Sequence, residues 1–530
     1  MSDSEITGEP TTAALLADLE KRRAAALKAG SERSVEKQHA RGKMTARERL
    51  DLLLDPGTFT EYDEFVQHRA TGFGLEHKRP YGDGVVTGIG EIDGRQVAVF
   101  AQDFTVFGGS VGEAFAGKVL KIMKLAERLG IPIVGLNDSS GARIQEGVVA
   151  LAAYGDIAHY SVKLSGVIPQ ISLIMGTCAG GAAYSPIATD FVGMVKDTSF
   201  MFITGPEIVN AVTGANVTLE ELGGGRVNAE LAGNAHYLAH DEKDLIDWAR
   251  NLISYLPSNN MEDPPRYHVD VETEVTDLDR TLDTIIPDSR NMAYDMEAVI
   301  HTLVDHGDFT AISPGFGRSI ICGLGRIDGA SVGIIANQPS VNAGVLDIDA
   351  SEKAARFVRT CNVYNIPMLY LVDVPGYMPG VEQESMGIIR RGAKLGFAVS
   401  ESTVPQVTVV LRKAYGGGYA VMGSKHADVD VNLAWPTAEI AVMGGQGAIL
   451  LMFRNEMQRA KEEGREAETK AKLLEVYNES MTSPYLAAAR GYVDAVIPPR
   501  ETRLRVANAF RTLANKRVTV PVRKHSNIPL

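Results

Sequence analysis

Two glycine clusters in this chain stand where a strand should give way to a helix, a place where bare backbone can do chemistry. In TCAGGAAYSP, Gly180 and Gly181 follow an apolar run and open an expected helix. In KAYGGGYAVMGSK, Gly416, Gly417 and Gly418 do the same. Without a Cβ in the way, a ligand carbonyl can approach the main chain. Consecutive N–H groups at a helix start then point at its oxygen, with the helix dipole behind them. That is an oxyanion hole built from backbone, in which one donor contributes about 3 kcal/mol to a transition state. A strand-to-helix turn also uses glycine for packing alone, so one cluster says little. Two clusters at equivalent positions argue for function.

The positions are equivalent because the chain repeats itself. VVTGIGEIDG (85–94) returns as IICGLGRIDG (320–329), an offset of about 235 positions. Gly130-Ile131-Pro132 then aligns with Asn365-Ile366-Pro367, Asp138 with Asp373, and Gly141 with Gly376. After one residue of slip, VIPQISLIMGTCAGG aligns with VPQVTVVLRKAYGG. So long a period means two copies of a whole domain.

Each copy reads as alternating strands and helices, hence α/β layers. Asp93-Gly94 and its repeat are hairpin signals. AFAGKVLKIMKLAERLG has helical period and closes at Gly130, a C′ glycine. IPIVGLND and VIPQISLIM are apolar strands, suited to a sheet covered on both faces. DIDASE (347–352) lacks the glycine of a calcium loop and reads as a helix start capped by Asp349 or Ser351. Residues 11–54 read as helix, and the basic run KRRAAALKAGSERSVEKQHARGK as its solvated face or as a contact for a subunit or phosphorylated ligand. The Pro-rich, acidic stretch around 255–280 reads as a linker, which places the domains at 1–280 and 281–530. After Gly464 a charged helix and the apparent strand GYVDAVIPP lead to a basic tail.

The composition excludes several functions. A net charge of −13 argues against nucleic acid as a partner. Three scattered cysteines make neither a disulfide framework nor a zinc ribbon, and no metal site is expected. MSDSEITGEP has no signal-peptide pattern, no run is long and apolar enough to span a membrane, and a cytoplasmic location is expected. GxxxxGKS/T, HExxH and GxSxG are missing, and Gly88, Gly90 and Gly94 have the wrong spacing for a dinucleotide turn.

The segments QDFTVFGGS, LNDSSGARIQEG, GVIPQISLIMG, CAGGAAYSP, VKDTSFMFITGPEIV, VDVPGYMPG, RKAYGGGYAVMGSK and AWPTAEIAVMGG span nearly the whole chain. In them the chain resembles the β (carboxyltransferase) subunit of acyl-CoA carboxylases, the propionyl-CoA carboxylase type. The resemblance implies two tandem crotonase-like domains. It implies transfer of a carboxyl group from N1 of carboxybiotin to Cα of an acyl-CoA. Gly180 and Gly181 would hold the thioester carbonyl as catalytic donors, and Gly417 and Gly418 the ureido oxygen of biotin. Gly141 and Ala142 would touch coenzyme A, with Arg143 as a phosphate partner. Biotin N1 can itself take the α-proton, so the protein supplies position and charge stabilisation. The chain lacks a biotin-attachment AMKM (Met123-Lys124-Leu125 is nearest) and an ATP-grasp loop. The biotin is therefore expected on a partner, a biotin carboxylase and carrier α subunit, with this chain as a homohexamer.

One departure concerns the substrate. Beside Tyr419, the chain has Ala420 where propionyl-type members usually carry Asp, and Gly418 where Ala is common. Both remove volume, so a pocket for acyl chains larger than propionyl is expected, each group shifting discrimination by about 1–3 kcal/mol. Propionyl-CoA itself, a biotin-dependent decarboxylase subunit, a crotonase-type hydratase and a non-catalytic scaffold are the alternatives. A hydratase needs placed carboxylates, and only Asp190 and Glu439 lie near the clusters.

Overall fold

The repeat builds the same sheet twice. The computed structural model describes residues 10–28, 30–289 and 292–530. The signal-peptide reading of the N-terminus therefore lies, but for Pro10, outside the described residues. One unit runs to Ala229 and takes in Tyr237–Ile253, and the other comprises Glu230–His236 and Ser254–Leu530. Residues 254–280, assigned from sequence to the first domain, thus pack with the second unit. Their Tyr267 N–H bonds to the Gly329 carbonyl in the second unit's hairpin (2.9 Å).

The first sheet contains β1 (Thr60–Tyr62), β2 (Val85–Ile92), β3 (Arg95–Gln102), β4 (Ile133–Ser139), β5 (Gln170–Ala179), β6 (Phe191–Val195), β7 (Phe200–Phe202) and β8 (Tyr237–Ala239). Its order is β1-β2-β3-β4-β5-β6-β8, with β7 also on β5. The second sheet contains β9 (Phe309–Ile312), β10 (Ile320–Ile327), β11 (Ala330–Asn337), β12 (Met368–Val374), β13 (Gln406–Tyr415), β14 (Val431–Ala434), β15 (Glu439–Ala441) and β16 (Ala495–Val496). Its order, β9-β10-β11-β12-β13-β14-β16 with β15 on β13, matches the first strand for strand. In both, the first three strands of that order pair antiparallel and the rest parallel. Central strands β4 and β12 are buried along their whole length, as apolar runs in a covered parallel sheet should be.

Local sequence explains the turns. Ile92 pairs directly with Arg95, and Asp93 and Gly94 both have positive φ (50° and 74°). Asp328 and Gly329 repeat this at 52° and 74°, the two-residue turn whose twist suits a hairpin. Helix Glu113–Leu129 ends on left-handed Gly130 as expected. Three expectations change. Residues 11–54 form three helices, Thr12–Leu27, Glu32–His39 and Ala46–Leu53, because Ser31 and Thr45 cap new starts. Asp347, rather than Asp349 or Ser351, caps helix Ile348–Val363 by accepting the Ala350 N–H (2.8 Å). GYVDAVIPP contributes only Ala495–Val496 as strand.

Each central strand bulges at a buried aspartate, Asp138 in β4 and Asp373 in β12. Buried charges need partners, and the two units find them differently. Asp138 lies 2.7 Å from Lys43 Nζ and 3.0 Å from Arg49 Nη2, both sent in from the N-terminal helical region. The basic run is therefore not all solvated. A Cβ at Gly176 on β5 would stand 2.0 Å from Asp138 Oδ1, so glycine leaves room for these cations. In the second unit the equivalent β13 position is Arg412, which itself reaches Asp373 (2.9 Å). Burial still pushes the Asp373 carboxyl up and the Lys43 amine down. Arg412→Met should destabilise the second unit by about 3–5 kcal/mol by stranding Asp373, read as a lower urea midpoint.

A lysine pair is duplicated as well. Lys118 Nζ donates to the carbonyls of Gly82 and Val85, and Lys353 Nζ to those of Phe316 and Ile320. Each ties down the entry to its unit's long hairpin. Burial lowers both amines to about 8. In the unfolded chain they titrate near ~10.4, so between these values the unfolded state binds more protons and stability rises with pH. Urea midpoints of the wild type relative to Lys353→Met should therefore climb from pH 7.5 to 10, by up to about 3 kcal/mol.

Candidate active site: two glycine turns

Strand β5 delivers Gly180 with φ 61° and ψ −124°, a conformation open only to glycine, and helix Gly181–Ile187 starts there. Strand β13 delivers Gly416 with φ 56°, and helix Gly416–Val421 follows. A Cβ on Gly416 would stand 2.8 Å from the Val442 carbonyl oxygen. From the strand positions, Gly180 corresponds to Gly416, Gly181 to Gly417, Ala182 to Gly418, Ala183 to Tyr419, and Tyr184 to Ala420. The expected pairs, Gly180 with Gly181 and Gly417 with Gly418, are thus out of step by one residue.

Hydrogen bonding explains the step. The Gly180 N–H donates to the Phe202 carbonyl (3.1 Å), extending the β5–β7 ladder, and cannot also serve a ligand. Ala183 N–H turns back to the Gly180 carbonyl (3.0 Å). A helix start leaves the N–H groups of Gly181 and Ala182 without partners inside the helix. By strand register these two match Gly417 and Gly418 in the second turn. Both helices are under two and a half turns long, so the donors act through direct N–H aim more than through a macrodipole. Gly181 and Gly418 are also glycines for packing. A Cβ would meet the Tyr154 ring at 2.9 Å in the first case and Val374 Cγ2 at 2.9 Å in the second.

A loop flanks each turn. In the first unit Val111 N–H bonds to the Gly141 carbonyl (3.0 Å) and Arg143 N–H to the Val111 carbonyl (2.9 Å). Leu346, Gly376 and Met378 repeat the pattern at 3.0 and 2.8 Å. Gly141 is buried with φ 103°, and Ala142 is exposed beside it. Arg143 is not the phosphate partner expected from sequence. Its Nε donates to Ser110 Oγ (3.4 Å), and its Nη1 to Asp83 Oδ1 (2.7 Å) and Glu146 Oε1 (3.0 Å). Its Nη2 donates to the carbonyls of Asp83 (3.3 Å) and Ser110 (2.9 Å). All five guanidinium donors are occupied, and Arg143 holds the loop instead.

Tyr419 is buried, its hydroxyl has no hydrogen-bond partner among the described residues, and burial pushes it up to about 12. Ala420 is exposed on the helix surface. The two carboxylates near the turns are structural. Asp190 accepts the Gln170 N–H (2.9 Å), and Glu439 accepts the Tyr415 hydroxyl. Among the described residues no cluster of His, Cys, Asp or Glu could hold a metal ion, and no helix is long and apolar enough to cross a membrane.

This arrangement suits acyl chemistry in which charge gathers on a carbonyl oxygen. The carboxyl transferase domain family matches residues 37–528. The chain belongs to the carboxyl transferase family. It is 58% identical over 527 residues to the propionyl-CoA carboxylase beta chain of Saccharopolyspora erythraea, covering 98% of this chain and 96% of that one. It is 54% identical over 526 residues to the biotin-dependent acetyl-/propionyl-coenzyme A carboxylase beta5 subunit of Mycobacterium leprae, covering 98% and 96%. The crystal structure of transcarboxylase 12S, a hexamer described with methylmalonyl-coenzyme A and methylmalonic acid bound, superposes with a TM-score of 0.94 at 46% identity over 99% of this chain and 100% of that one. The two units are thus tandem crotonase-like domains, and the protein is a biotin-dependent carboxyltransferase.

The sequence reading named Gly416 in its cluster and aligned it with Gly180, but left it out of the expected donors. It also passed over the Lys118 and Lys353 pair, which the repeat offset alone would have found. Gly180→Ala and Gly416→Ala each force a side chain to positive φ and re-aim the next N–H groups. Each should lower kcat for carboxyl transfer roughly a hundredfold. Steady-state kinetics check this, and unchanged kcat would mean the turns only pack.

Proposed function

We propose that the chain is the carboxyltransferase β subunit of a propionyl-CoA carboxylase, forming methylmalonyl-CoA. The observation that carries this reading is the pair of equivalent glycine turns, each offering two adjacent N–H donors on a buried parallel sheet. One turn suits each carbonyl of a two-reactant transfer. Gly181 and Ala182 hold the thioester oxygen of the acyl-CoA, with Gly141 and Ala142 in the flanking loop against coenzyme A. As the α-proton leaves, negative charge moves onto that oxygen, and the two donors strengthen where the charge develops. Gly417 and Gly418 hold the ureido oxygen of biotin, and Gly417 is exposed enough to be approached. Biotin supplies the carboxyl group, on a ureido nitrogen, from an α subunit that also carries biotin carboxylase activity. The assembly is a homohexamer, supported by the hexamer described for transcarboxylase 12S, working in the cytoplasm.

The sequence-based expectation of a larger acyl chain is not retained. The relatives at 58% and 54% identity are named for propionyl or for acetyl and propionyl substrates. The test mixes the purified chain with a biotin carboxylase and carrier partner, ATP, bicarbonate and acetyl-, propionyl-, butyryl- or hexanoyl-CoA. A kcat/KM optimum at propionyl-CoA, about tenfold above butyryl-CoA, is expected. No carboxylated product from any of the four rejects the reading.

A further inference from the structure

Within the second unit, the loop Pro375-Gly376-Tyr377-Met378 departs from its counterpart at one position. Where the first unit has exposed Ala142, the second has Tyr377, since Gly141 and Gly376 bond identically to Val111 and Leu346. The Tyr377 hydroxyl donates to the Gly392 carbonyl (3.0 Å). A Cβ at Gly392 would stand 2.7 Å from Tyr377 Cε1, so glycine there admits the ring. The ring's other edge faces the second turn. A Cβ built on Gly417 would lie 3.7 Å from both Tyr377 Cδ2 and Cε2, an ordinary contact distance. The ring is therefore pinned at its tip, stands beside the exposed Gly417 donor, and remains partly open to solvent.

We propose that the Tyr377 ring is a side wall of the biotin site at the second glycine turn, packing against the flat ureido ring and setting its angle to the Gly417 and Gly418 donors. This rests on the assignment of biotin to that turn under the proposed function. A fixed aromatic face suits a small flat ureido ring, and the hydroxyl, already committed to Gly392, contributes only by locking the ring. At the first turn the equivalent loop position is Ala142, and the ring nearest Gly181 is that of Tyr154, which is buried. Tyr377 is thus a positioning and specificity residue of the second turn alone.

The test measures free biotin binding to the intact protein by equilibrium dialysis, beside KM for biotin and for methylmalonyl-CoA in the transfer of carboxyl from methylmalonyl-CoA to biotin. In that reaction the C2–carboxyl bond breaks, the N1–carboxyl bond forms, and the N1 proton passes to C2. Tyr377→Leu keeps much of the volume but not the plane, and should raise the Kd and KM for biotin about tenfold. KM for methylmalonyl-CoA should stay within twofold. Tyr377→Phe keeps the plane and should restore most of the biotin affinity. Unchanged biotin Kd in Tyr377→Leu overturns the proposal, as does an equal loss for both substrates, which marks a structural role. If wild-type protein moves no carboxyl group and binds no biotin, the proposed function fails instead.

Discussion

A carboxylate buried at the bulge of each central strand is the constraint around which both units are arranged. Asp138 and Asp373 sit where β4 and β12 leave the sheet for the loop beside a glycine turn. Their backbone N–H groups bond to equivalent side chains, Gln102 Oε1 at 2.8 Å and Asn337 Oδ1 at 3.3 Å. An unpaired charge there is costly, so a cation must be held against it. In the second unit the cation is on the neighbouring strand. In the first it comes from before β1, and Arg49 also pairs with Glu242, so one buried network joins the N-terminal helices to the helix that follows β8.

The duplication is conservative in support and free at the glycine turns. The buried lysines, the hairpins and the loop bonds of Val111 and Leu346 recur with the same geometry. Divergence gathers at the turns. In register, Ala182 corresponds to Gly418, Ala183 to Tyr419, Tyr184 to Ala420, and Ala142 to Tyr377. Arg143 and Asp83 form a buried ion pair in the first unit, while the equivalent second-unit positions hold Met378 and exposed Arg318. Two copies of one backbone device with different walls can receive two different carbonyl compounds. Such a device fits carboxyl transfer between unlike partners.

Much of the fold was legible because it is locally coded. Asp-Gly pairs select hairpins, Gly130 ends a helix, and apolar runs mark buried strands, each through steric preferences of a few adjacent residues. The repeat carried these readings from one unit to the other. The glycine clusters were legible for the same reason, since only glycine takes the backbone angles of Gly180 and Gly416. The helix starts at 32 and 46 went unread because they depend on caps inside an otherwise helical composition.

The sequence by itself determined the duplication, the α/β class and the two places where backbone could meet a ligand, because these follow from periodicity and from glycine's missing Cβ. Only the tertiary structure decided which N–H groups remain available and which side chains are already committed. The Gly180 N–H is taken by β7, a strand some twenty residues onward. Arg143 is spent on Asp83, Ser110 and Glu146. Tyr377 reaches Gly417 only after the chain folds back through two helices and a strand. Hydrogen-bonding capacity is finite and is allotted by contacts distant in sequence. Residue type can therefore nominate a donor, but packing decides whether it is free to act.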